Sequence, residues 1–134
     1  KSLPIIFPVH PRTKKSIEKF GILISKNIYL TKPLPYIEFL NLWKDSEIVM
    51  TDSGGLQEET SALGIKCITI RKNTERPITI EQGTNSLAGT QSKNIYKIYN
   101  QKISSKTKFK KITLWDGKSS MRIIKKLYDI HKSF

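Results

Sequence analysis

Apolar residues in this chain come in short blocks split by polar stretches, and the blocks alternate between continuous runs and helical spacing. Residues 3–9 are nearly all apolar and predict a buried strand. Pro11 then suits the first turn of a helix in which Ile17 and Phe20 face inward, until Gly21 stops it. Residues 27–30 predict a second strand, and Pro33 and Pro35 introduce a helix carrying Ile37, Phe39, Leu40 and Trp43 at helical spacing. A third strand over 47–50 runs into Thr51-Asp52-Ser53-Gly54-Gly55. A helix over 56–63 follows, with Gly64 as its stop, and then a fourth strand over 66–70. Such alternation with short connections predicts an α/β fold, a parallel sheet with helices on both faces.

Beyond Arg71 the pattern is weaker. Residues 74–82 are expected to be partly helical, 85–89 to hold a short strand and 95–103 a helix. Residues 104–134 are expected to form an irregular Lys-rich crossing segment and a terminal amphipathic helix with Met121, Ile124, Leu127 and Tyr128 on one face.

Composition narrows the choices. The 134 residues suffice for one core but not for two full lobes, so a site needing two lobes must be completed elsewhere. An apolar run follows Lys1 almost at once, as though the chain begins on a strand, and it reads as a fragment. No stretch approaches the roughly 20 apolar residues of a membrane span, nor does the start suit a signal peptide, so a cytoplasmic protein is expected. Cys67 is the single cysteine, which excludes an internal disulfide; beside only His10 and His131 it makes a zinc cluster improbable. Inside the run 66–70 it reads as a small buried residue rather than a reactive thiol. No metal or cofactor is called for.

A net charge of +13 is the usual footprint of a nucleic-acid binder. Here Lys supplies nearly all of it. The arginines are only Arg12, Arg71, Arg76 and Arg122, although Arg is the residue suited to bidentate phosphate and guanine contacts. The lysines are spread out, with Lys106, Lys108, Lys110 and Lys111 the one dense run, so the charge reads as a solvated surface. A basic nucleic-acid-binding module stays as an alternative of a different class.

Candidate chemistry centres on residues 51–59. A strand that ends before two glycines and a helix places free backbone N–H groups at a positive helix terminus, which attracts anions. Ser53 adds a hydroxyl donor, and Gly54 and Gly55 let a phosphate approach without a Cβ in the way; a plain N-cap and tight turn would account for the same tripeptide. Glu59, about one turn further on, cannot assist a phosphate but suits two vicinal ribose hydroxyls. Glu58 points about 100° away and could favour the helix dipole or pair with a lysine. After the fourth strand, on the same sheet edge, Arg76 could compensate a diphosphate with Glu75 orienting it, or form an exposed salt bridge.

The run Thr51-Asp52-Ser53-Gly54-Gly55-Leu56-Gln57-Glu58-Glu59, followed by Leu63-Gly64, Arg71, Asn73-Thr74-Glu75-Arg76-Pro77, Gly83-Thr84-Asn85 and Gly89, resembles the non-hydrolysing UDP-N-acetylglucosamine 2-epimerases. Pro8-Val9-His10-Pro11-Arg12, residues 33–39 and Trp115-Asp116-Gly117-Lys118 with Arg122-Ile123 agree with it. The resemblance implies the second, UDP-binding lobe of a two-lobe GT-B-type enzyme, with residues 1–134 lacking the first lobe. By position it implies that Ser53, Gly54 and Gly55 hold the diphosphate, Glu59 the ribose, Arg76 the nucleotide's charge, and Leu34 with Phe39 the uracil. Leu34 departs from relatives with Gln there, which leaves an apolar or backbone contact. His10 matches a cleft histidine linked to effector binding, with a structural role equally open, and Asp116 a turn before the last helix.

The reaction so implied interconverts UDP-N-acetylglucosamine and UDP-N-acetylmannosamine by UDP elimination and re-addition. Its catalytic acid/base residues lie upstream, with none in this chain. Partners implied are the UDP-sugar, the missing lobe and a second copy in a homodimer, with no nucleic acid and no membrane. A GT-B glycosyltransferase half is the alternative, since those enzymes share the Ser-Gly-Gly turn and downstream Glu; the segment 73–77 favours the epimerase.

Overall fold

Parallel pairing runs through the β-structure of the computed structural model, which describes residues 3–105 and 111–132. Residues 106–110 of the crossing segment expected over 104–114, with Lys106, Lys108 and Lys110, lie outside the described residues. The chain divides into two compact units, Lys1–Leu42 and Trp43–Phe134. Its strands accordingly fall into a two-stranded and a three-stranded sheet, where the apolar pattern had suggested a single one.

In the first unit, β1 (Ile5–Pro8) pairs with β2 (Ile28–Thr31), from Ile5 opposite Ile28 to Pro8 opposite Thr31. Between them α1 (Pro11–Lys19) starts behind His10, whose extended backbone (ψ 141°) and Nδ1, accepting from the Arg12 N–H at 3.2 Å, make it the N-cap. Pro11 takes the first helical position, where no N–H is needed. Helix α2 (Tyr36–Trp43) begins after Pro35, and its last residue, the buried Trp43, opens the second unit.

Two expectations fail in this unit. Ile5, Ile6 and Phe7 are exposed, and only Val9 is buried, because side chains alternate across a strand and a two-stranded ribbon has too few neighbours to cover both faces. Phe20 is 69% exposed. It sits at the C-cap with φ −95° and ψ 5°, where the chain has left the helical path that would aim it with Ile17.

The second unit carries the sheet β3 (Val49–Thr51), β4 (Cys67–Thr69) and β5 (Asn85–Leu87), in that order. Helix α3 (Gly54–Leu63) joins the first two strands and closes on Gly64, whose φ of 77° favours glycine and whose N–H returns to the Thr60 carbonyl. The short α4 (Ile78–Glu81) joins β4 to β5, and α5 (Ser92–Ser104) follows. All three residues of β4 are fully buried, so both faces of the central strand are covered. Burial also pushes the Cys67 thiol up from its ordinary range, consistent with a small core residue rather than a reactive thiol.

Helix α6 (Ser119–His131) forms where the sequence places it, behind a turn in which Asp116 accepts from the Lys118 N–H at 3.0 Å and pairs with Arg122. The Arg122 guanidinium, and then the Lys118 N–H, hold the Asp116 carboxyl below its usual range, and Gly117 supplies φ 75°. These bonds give Asp116 the structural role. The expected inward face is uncovered, however: Met121, Ile124, Leu127 and Tyr128 are each more than half exposed.

The core of this unit is unusually polar. Gln57, Thr60, Ser61, Thr69 and Thr79 are fully buried, and Thr84 and Asn85 nearly so. Gly83 lets this layer close: a Cβ there would lie 2.5 Å from the Thr79 carbonyl oxygen and 2.6 Å from the Ser61 hydroxyl. Gly83→Ala should therefore lower stability by about 1–3 kcal/mol, the cost of overpacking a rigid backbone contact, read from urea unfolding.

Lys102 of α5 donates to the Thr84 carbonyl at 2.5 Å, and its burial lowers its pKa. Between that lowered value and the unfolded value of about 10.4 the unfolded chain holds more protons, so stability should rise with pH across this window. Titrated toward that limit, the protein should gain stability relative to Lys102→Met; parallel pH profiles would show that Lys102 is not strained by burial.

Candidate functional site

At the carboxyl end of β3 the chain turns tightly, the Thr51 hydroxyl accepting from the Ser53 N–H at 3.0 Å. Ser53 occupies the N-cap of α3 (φ −80°, ψ 129°), yet its hydroxyl makes no capping bond. The first helical bond is from the Gln57 N–H to the Ser53 carbonyl at 3.4 Å, so the N–H groups of Gly54, Gly55 and Leu56 find no acceptor within the helix.

Neither glycine is required by the chain's own geometry. Both have ordinary negative φ; a Cβ on Gly54 would meet nothing within 4 Å, and one on Gly55 only the Ser53 hydroxyl at 3.9 Å. What the missing Cβ atoms leave is bare backbone at a positively polarised terminus, open to an anion.

The loop after β4 brings Arg76 to the same helix. Its Nε lies 2.8 Å from Glu58 Oε1, and an Nη donates to the Glu75 carbonyl at 3.2 Å. The expected carboxylate partner, Glu75, instead lies 3.9 Å from Arg71. Glu58 takes its place because it stands one turn into α3, on the side that meets the loop. The pair is about 40% exposed on each side, so it contributes little stability, and its consequence is placement. Glu59, the next residue, is half-buried and turned about 100° around the helix.

Sequence reasoning missed what lies beneath. Gln57 Oε1 accepts from the Thr74 hydroxyl at 2.6 Å and from Asn85 Nδ2 at 3.3 Å. Asn85 Nδ2 also donates to the Thr79 hydroxyl at 3.1 Å, and its Oδ1 accepts from Thr69 at 2.8 Å. The available signal was Gln57, Thr60 and Ser61, polar residues at helical spacing on the face α3 buries.

The other candidates belong to the first unit. Leu34 and Phe39 are both half-buried. Just before Leu34, Pro33 joins Val9, Leu30 and Thr31, flanked by Lys14 and Lys32, in lining a pocket of about 200 Å³ at the ends of β1 and β2. His10 is engaged as the cap of α1. Among the described residues no helix is long and apolar enough to cross a membrane.

Parallel strands joined by helices, with an open helix terminus at a strand's carboxyl end, define a Rossmann-like lobe. Residues 1–128 match the family model described as UDP-N-acetylglucosamine 2-epimerase, and the chain belongs to that family. Among curated relatives, the UDP-N-acetylglucosamine 2-epimerase of Methanocaldococcus jannaschii is 42% identical over 125 residues, which covers 90% of this chain and 34% of that protein. That of Bacillus subtilis is 36% identical, covering 95% of this chain and 35% of that protein. The chain thus spans about a third of the length of its relatives.

A solved structure of the M. jannaschii enzyme superposes with a TM-score of 0.80 at 41% identity, over 93% of this chain and 36% of that one. A second, in complex with UDP-GlcNAc and UDP, gives 0.79 over 93% of this chain and 35% of that one. These likenesses make the architecture that of a GT-B-type enzyme.

Because a Cβ at Gly54 would meet no other side chain or backbone within 4 Å among the described residues, Gly54→Ala should leave the melting temperature unchanged or raise it, as removing a helical glycine is worth up to about 1 kcal/mol. A fall in melting temperature would mean that the glycine serves the fold.

Proposed function

We propose that this chain is the UDP-binding lobe of a UDP-N-acetylglucosamine 2-epimerase, with the α3 terminus as its diphosphate site. The observation that carries this reading is the open backbone of Gly54, Gly55 and Leu56 beside an arginine held at the same helix. Three unpaired N–H groups, the Ser53 hydroxyl and the Arg76 guanidinium together offer a diphosphate both directed donors and a compensating charge. Glu59 takes the ribose hydroxyls.

In the reaction so assigned, UDP leaves C1 of the sugar as a proton leaves C2, and both return with C2 inverted. The donors at α3 and Arg76 stabilise charge on the departing diphosphate and retain it for re-addition. The groups that move the C2 proton are assigned to polypeptide outside this chain, as the family resemblance implies. The relative solved with UDP-GlcNAc and UDP, at 41% identity, supports this choice of ligand.

Calorimetry with UDP and 2′-deoxy-UDP tests the assignment. Arg76→Ala should weaken UDP by about tenfold or more, in keeping with lost charged hydrogen bonds of about 1.5–3 kcal/mol, and Gly54→Ala should weaken it because the added Cβ keeps a phosphate away from the backbone N–H groups. Glu59→Ala should bind UDP and 2′-deoxy-UDP equally, while the unchanged protein prefers UDP. Undiminished UDP binding by the Arg76 and Gly54 variants would refute the site, and epimerisation by residues 1–134 alone would refute the placing of the proton-transfer groups.

A further inference from the structure

Arg76 is clamped by its own backbone as well as by its side chain. Its N–H donates to the Thr74 hydroxyl at 3.0 Å, and its carbonyl accepts from the Thr79 hydroxyl at 2.7 Å and the Thr79 N–H at 3.0 Å. Both hydroxyls lead to the same place. The Thr74 hydroxyl donates to Gln57 Oε1 at 2.6 Å, and the Thr79 hydroxyl accepts from Asn85 Nδ2, which also donates to Gln57 Oε1. Gln57 is fully buried in the first turn of α3, next to Glu58, which holds the guanidinium at 2.8 Å.

The helix that offers the anion site is therefore tied to the arginine through one buried amide oxygen. We propose that Gln57 and Thr74 are positioning residues, which hold Arg76 in register with the α3 terminus so that the guanidinium and the backbone donors meet one diphosphate. The inference rests on the UDP-site reading above and extends it to residues that touch no ligand. Chemistry favours this use of the amide. A loop free to sample backbone conformations would lose entropy on binding, whereas one whose backbone is held beforehand loses less. The amide acts through its oxygen: among the described residues Gln57 Oε1 takes both hydrogen bonds and Nε2 makes none.

UDP affinity measured on the protein, with circular dichroism and melting to establish folding, tests this. Thr74→Val, which removes only the relay hydroxyl, and Gln57→Met should each weaken UDP by about fivefold to tenfold, the worth of one buried hydrogen bond. Thr74→Ser keeps both bonds and should stay within about twofold of the original. In an Arg76→Ala background Thr74→Val should add less than about twofold, since the residue it positions is gone. Equal losses from Thr74→Val with and without Arg76 would overturn the proposal, as would a Thr74→Ser loss matching that of Val, or unchanged affinity in Thr74→Val. If Gln57→Met fails to fold, the Thr74 series decides alone. Unchanged affinity in Arg76→Ala would sink the UDP-site reading and this inference with it; an Arg76 effect without a Thr74 effect sinks only the inference.

Discussion

One buried amide organises the second unit. Gln57 Oε1 receives two hydrogen bonds from segments far apart in sequence, Thr74 in the loop after β4 and Asn85 on β5. In a low-dielectric interior each of these groups would cost about 1–3 kcal/mol if left unpaired. Because Thr69 and Thr79 are drawn into the same set, strand β4, strand β5, helix α3 and the arginine loop share one set of geometric constraints. An apolar core would have resisted disorder without dictating which atom meets which, whereas hydrogen bonds are directional.

That difference matters for the face of the lobe where the helix terminus opens. The N–H groups of Gly54, Gly55 and Leu56 are fixed by α3, and Arg76 by a loop, and Gln57 of α3 ties the two together through Thr74. Glu58, also on α3, balances the arginine's charge. Gly83 has the complementary task on the opposite side of the layer, where the Thr79 carbonyl and the Ser61 hydroxyl leave no room for a Cβ.

Elsewhere the chain displays apolar surface that its own residues do not cover. Strand β1 shows Ile5, Ile6 and Phe7, and α6 shows Met121, Ile124, Leu127 and Tyr128, while the charged residues are spread among exposed positions throughout. The sequence pattern places a strand and an amphipathic helix at these positions, and both form, but the expected burial of residues 5–7 does not hold. Burial is a property of neighbours, and the relatives are about three times as long as this chain.

The linear pattern determined the order of elements, the parallel α/β class, the stop at Gly64 and the glycine-led terminus at residues 53–55, because periodicity and turn chemistry act over a few residues. Glycines at 54 and 55 are legible as an open helix start for the same local reason. Tertiary structure alone decided that Arg76 pairs with Glu58 rather than Glu75, that His10 spends a ring nitrogen on capping α1, and that Gln57 faces the core. Which of two carboxylates an arginine meets is set by how a helix and a loop approach each other. No spacing along the chain encodes that distance, so the open helix terminus could be read from residues 51–59 while the bonds behind Arg76 could not.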